Sequence, residues 1–122
     1  MCPPSCSPKC VSDRNLKRDV EPVDDHAVLE SVARMPVSTW SYKSEDPSVR
    51  HLGPMAQDFH AAFGLGDTDR AYDSIDAHGV AFAAIKGLYE EVREQSARIE
   101  RLERENESLR ERQCTARPRS ER

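Results

Sequence analysis

The chain has 122 residues, 33% of them charged and 37% hydrophobic, with a net charge of −4. That length allows one domain plus tails, and the mild charge argues against a nucleic-acid surface or an acidic membrane as partner. No apolar run approaches the roughly 18–20 residues of a membrane span, and the opening MCPPSCSPKC lacks the apolar core of a signal peptide.

The chain is therefore expected to be cytoplasmic at synthesis. Much of the charge lies in the C-terminal third, so the remaining core is small. A small core joined to a polar helix finds its missing burial between subunits. The basic residues near the end, Arg117, Arg119 and Arg122, read as a solvated tail.

Residues 1–11 form a Cys/Pro-rich leader without periodicity, expected to be disordered. Cys2, Cys6 and Cys10 lack CxxC spacing and have no nearby histidine. They read, with Cys114, as reduced thiols rather than metal ligands, and no metal or cofactor is expected.

Ser12-Asp13-Arg14-Asn15-Leu16-Lys17 follows, with a hydroxyl and an amine five positions apart. Ser12 or Asp13 suits a turn. Leu16 to Val23 reads as a short extended segment that Pro22 weakens at its end. Asp24 or Asp25 caps a helix over about Asp25–Met35, with Val28, Leu29, Val32 and Met35 on one apolar face. Pro36 stops it.

Val37 to Lys43 alternates and is rich in β-branched and aromatic residues, so it reads as a strand with Trp40 and Tyr42 on one face. Residues 44–48 are a turn by composition. A second helix starts near Pro54, with Met55, Ala56, Phe59 and Phe63 as its buried stripe. Gly64 and Gly66 end it. Tyr72 to Ile75 is a candidate strand. A final helix runs from His78 or Gly79 to about Gln113, and 114–122 read as a disordered tail. The expected domains are thus a head over 12–77 and a helix and coiled-coil stalk over 78–113.

The final helix carries a heptad pattern. Ile85, Val92, Ile99, Asn106 and Gln113 occupy positions a, and Leu88, Gln95, Leu102 and Leu109 occupy positions d. Arg98 and Glu103, and Glu105 and Arg110, pair opposite charges across a parallel seam. Phe82, Ile85 and Leu88 are expected to fold back onto the head. From Ile99 onward the head has too little apolar surface to cover the stripe, which predicts a homo-oligomer. β-branched residues at a with leucine at d, plus Asn106 at a, lean towards a dimer, whereas Gln95 at d also fits a trimer.

Taken in order, these segments resemble the C-terminal intramolecular chaperone auto-processing domain of phage endosialidase tailspikes and tail fibres, a type that also occurs in some membrane-anchored eukaryotic transcription factors. The resemblance rests on Ser12, Asp13, Leu16 and Lys17, on Trp40-Ser41-Tyr42, on His51, Gly53, Ala56, Gln57 and Asp58, and on Ala84-Ile85-Lys86. It covers about residues 12–112. The order of elements itself gives an α+β fold, a small mixed head with short strands and two short helices followed by a long coiled-coil helix, and the resemblance implies that this helix forms a parallel trimer. It also implies a domain that helps an N-terminal fibre passenger, or a separate fibre chain, to fold. The domain then cuts itself off before the motif serine, in association with a phage or phage-like particle.

Mapped here, the bond is Val11–Ser12, Ser12 is the nucleophile and Lys17 the base. Cleavage would release only Met1 to Val11. Asp13, His51 and Gln57 are candidate supporting groups. Ile85, Leu88, Val92, Gln95, Ile99, Leu102, Asn106 and Leu109 are the candidate oligomerisation residues. The rival expectation is a structural oligomerisation module that never cuts.

The chemistry sets a condition. A serine needs a base to become a nucleophile, and lysine serves only when neutral. Lowering a lysine from its usual value of about 10.4 towards neutrality corresponds to about 4 kcal/mol, ordinarily supplied by burial. Oligomerisation that dries Lys17 would therefore couple cutting to assembly.

Overall fold

A computed structural model of the chain describes residues 11–117. Cys2, Cys6, Cys10 and all of the expected leader except Val11 lie outside the described residues. The chain packs as two units dividing between Gly87 and Leu88. A 3-10 turn at Arg14–Leu16 is followed by α1 (Asp25–Arg34), β1 (Ser38–Trp40), β2 (His51–Gly53), α2 (Ala56–Phe63) and α3 (Ser74–Ala116). The architecture is a small mixed α+β head with a two-stranded sheet and short helices, plus a long C-terminal helix.

Helix α1 forms where its pattern predicts. The Asp24 carboxylate accepts from the backbone N–H of Ala27 at 3.1 Å, satisfying one of the amides that a helix start leaves open. Val28, Leu29, Val32 and Met35 are all half-buried, on one side of the helix.

The strands form an antiparallel pair with Thr39 opposite Leu52 and Trp40 opposite His51. β1 is shorter than the expected Val37–Lys43. β2 forms between the expected turn at 44–48 and the second helix, where the sequence reading places no strand. The loop between the strands is held by polar bonds. Ser41 Oγ donates to the Val49 carbonyl at 2.7 Å. The Arg50 guanidinium donates to Ser41 Oγ at 3.1 Å and to Thr39 Oγ1 at 3.0 Å. Asp46 accepts from both the backbone N–H and the hydroxyl of Ser48.

Helix α2 brings Phe59 into the centre of the head, where it is buried. Its ring stacks on Tyr72 at 4.8 Å and meets Phe63 at 5.1 Å. Gly64 ends the helix at φ 61°, and its N–H returns to the His60 carbonyl, a left-handed cap that glycine adopts without strain. Met55 departs from the expected buried stripe. It is exposed because it sits at the N-cap of α2, outside the helical periodicity.

Other expectations are corrected as well. Leu16 to Val23 forms no strand. Only the 3-10 turn is regular there, and Leu16 and Val20 stay 73% and 77% exposed. An extended segment does not become a strand where no neighbouring strand accepts it, and Asp19 interrupts this one at φ 53°. Tyr72 to Ile75 is not a strand either. The Asp73 carbonyl accepts from the amides of Asp76 and Ala77, and the helix is already under way at Ser74. α3 also runs past Gln113 to Ala116.

The first part of α3 packs on the head through Val80, Ala84 and Gly87, spaced four and three residues apart and all buried. The expected folding back of Phe82, Ile85 and Leu88 is not what happens. They are 68%, 62% and 52% exposed, because the helix meets the head with its small-residue stripe, which allows a closer approach. From Leu88 onward the described side chains are exposed apart from the half-buried Glu91.

Candidate functional site

The 3-10 turn is short and locally determined. Asp13 caps it, its carboxylate accepting from the backbone N–H of Asn15 at 3.0 Å and from Asn15 Nδ2 at 3.1 Å. The amides of Leu16 and Lys17 return to the carbonyls of Asp13 and Arg14. This reversal brings the Lys17 side chain back along the chain to Ser12. Lys17 Nζ donates to Ser12 Oγ at 2.6 Å. Nucleophile and base candidates five residues apart thus lie within the reach that proton transfer requires. Both are exposed.

The supporting candidates fall elsewhere. Asp13 is engaged by Asn15 and closes the turn. His51 Nε2 lies 2.8 Å from Glu45 Oε2. Its ring stacks on Trp40 at 4.8 Å and meets Tyr42 edge-on at 5.3 Å. Trp40 and Tyr42 pack against each other at 4.7 Å, so the three rings form one cluster around the hairpin. Gln57 is exposed in the first turn of α2. It lines an open groove with Trp40, Tyr42, Arg70 and Tyr72. Among the described residues no hydrogen bond joins His51 or Gln57 to Ser12 or Lys17.

Of the candidate oligomerisation residues, Ile85, Leu88, Val92, Ile99, Leu102 and Leu109 are exposed. Gln95 and Asn106 are exposed too, with Gln95 Nε2 3.4 Å from Glu91 Oε1. Cys114 is an exposed free thiol. No group of three or more His, Cys, Asp or Glu side chains among the described residues is placed to hold a metal, and no helix there is long and apolar enough to cross a membrane.

Sequence reasoning did not anticipate three partners. Glu45 left no signal, because its link to His51 depends on how the hairpin loop folds. Asp25 pairs with Lys86 at 3.2 Å, a tertiary relation. Gly87 did leave a signal, since glycine inside a helical pattern marks a place where another backbone comes close.

A serine–lysine pair thus lies on a turn before a small α+β head and a long helix. Residues 12–65 match the family model described as "Chaperone of endosialidase", and the match begins at Ser12. The resemblance read from the sequence is shown over that segment. No curated protein matches the chain.

Proposed function

We propose that this chain is an intramolecular chaperone and trimerisation domain that cleaves itself at Val11–Ser12. The observation that carries this reading is the 2.6 Å hydrogen bond from Lys17 Nζ to Ser12 Oγ. Ser12 is the residue after the scissile bond, so its hydroxyl attacks the adjoining Val11 carbonyl. Neutral Lys17 takes the hydroxyl proton and returns it to the Ser12 nitrogen as the C–N bond breaks. The resulting ester joins the Val11 carbonyl to Ser12 Oγ. Water then hydrolyses it, leaving a Val11 carboxylate and a free Ser12 amine. Lys17 can act only when uncharged, and burial is the ordinary cause of that state.

Burial comes from assembly in this reading. The exposed a and d residues of α3 continue from Ile85 to Leu109, the pattern of a parallel coiled coil. Burying the exposed half of each apolar member contributes roughly 1 kcal/mol. A trimer agrees with the family resemblance, and the domains divide as a head over 12–77 and a coiled coil over 78–113. A passenger before Ser12, or a separate fibre chain, is the folding client, in a phage or phage-like particle.

The competing reading is a structural oligomerisation module with an idle pair, favoured by the exposure of Ser12 and Lys17 in the single chain. Ser12→Ala and Lys17→Ala separate the two. Each is expected to abolish cleavage of a passenger fusion while light scattering still finds the trimer. Cleavage surviving in either variant contradicts the dyad.

A further inference from the structure

Lys86 and Gly87 lie where α3 packs on the start of α1. Gly87 is buried, and a Cβ at that position would come within 2.5 Å of the Asp25 carbonyl oxygen and 3.2 Å of Leu29 Cβ. No side chain fits there without moving the first turn of α1. One residue earlier, Lys86 Nζ lies 3.2 Å from Asp25 Oδ2, and the Asp25 side chain is only 16% exposed. One turn of α3 therefore grips Asp25 twice, by backbone approach and by charge.

Asp25 begins α1, and Asp24 caps it through Ala27. The residues before it, Arg18 to Val23, are exposed and belong to no helix or strand. They lead directly back to Lys17 and the turn that holds Ser12. The first turn of α1 is thus the nearest regular element to the dyad turn on its C-terminal side. The same turn of α3 presents Ile85 outward, at the start of the heptad stripe.

We propose that Lys86 and Gly87 are positioning residues for self-cleavage, gripping the first turn of α1 and so fixing where the dyad-bearing segment is anchored. This rests on the self-cleaving reading above. Neither residue contacts the reacting groups. Their effect is on where the Ser12–Lys17 turn is presented once the oligomer forms, a placement to which rate is sensitive at the ångström scale.

The test is the cleavage rate of a folded N-terminal fusion, with light scattering and thermal melting run alongside. Gly87→Ala is expected to slow cleavage by on the order of 10- to 100-fold with the oligomer retained. Lys86→Gln alters an exposed side chain and is expected to keep the fold, which the thermal melt checks. It is expected to slow cleavage less, Lys86→Arg to restore it, and Asp25→Asn added to Lys86→Gln to cost nothing more. Because Lys86 does not touch the reacting groups, the midpoint of the pH–rate profile is expected to stay put in Lys86→Gln.

Gly87→Ala and Lys86→Gln variants that stay oligomeric and cut at the parent rate would overturn the proposal. So would a Lys86→Gln midpoint that moves. A parent that does not cut at all refutes the self-cleaving reading instead, so the two failures are told apart.

Discussion

Ala84 and Ile85 are consecutive on α3 and lie in opposite surroundings. Ala84 is 8% exposed against the head, and Ile85 is 62% exposed. Val80, Ala84 and Gly87 turn one face of the helix inward, which leaves the larger apolar residues of the heptad stripe exposed. In the proposed trimer their partner is the same stripe on a neighbouring chain.

The stripe can be broken without touching the head. Ile99→Asp combined with Leu102→Asp places charges in two successive layers of the seam, where burial without a partner is costly. The double variant is expected to be monomeric by light scattering and to cleave a fused passenger more slowly than the parent. A proven monomer that cuts at the parent rate would break the link between assembly and cleavage.

The head depends on few side chains. Phe59 is 2% exposed and touches both Phe63 and Tyr72. Phe59→Ala removes the ring from that cluster and is expected to cost about 3–5 kcal/mol. Denaturant unfolding followed by tyrosine and tryptophan fluorescence measures it. A loss under about 1 kcal/mol would mean that the cluster does not hold the head together.

The hairpin loop carries an acid-sensitive group. The Ser48 hydroxyl, and after it the Ser48 backbone N–H, donates to Asp46 and holds its carboxyl below the ordinary value of 3.8. A depressed pKa in the folded chain favours the fold above the ordinary value. That contribution is lost as pH falls through the lowered folded value. Carboxyl NMR titration is expected to place the Asp46 midpoint below 3.8, and Ser48→Ala to raise it. A midpoint unchanged in Ser48→Ala would contradict the assignment.

What the sequence reveals follows from which interactions are local. α1 was legible because a capping aspartate, an apolar period and a following proline all act within one segment. The Gly64 cap was legible for the same reason. β2 was not, because three residues become a strand only by pairing with β1, a relation that no local pattern records. Leu16 to Val23 shows the reverse, a segment read as extended that has no neighbouring strand to pair with. Ser12 and Lys17 stand out through the family resemblance, since their spacing alone is weak, and the turn that brings them together is itself local. The grip of Lys86 and Gly87 on Asp25 spans some sixty residues, and only the glycine hinted at it. The orientation of α3 was misread because large apolar residues suggest a core, whereas here the head takes the small ones.

The most direct test of the central claim is the intact mass of the purified chain carrying a folded N-terminal fusion, measured beside its Ser12→Ala counterpart. The account predicts a fragment beginning at Ser12 in the parent alone, with the counterpart uncut and of the same oligomeric state. An uncut trimeric parent, or an identical cut in Ser12→Ala, would contradict it.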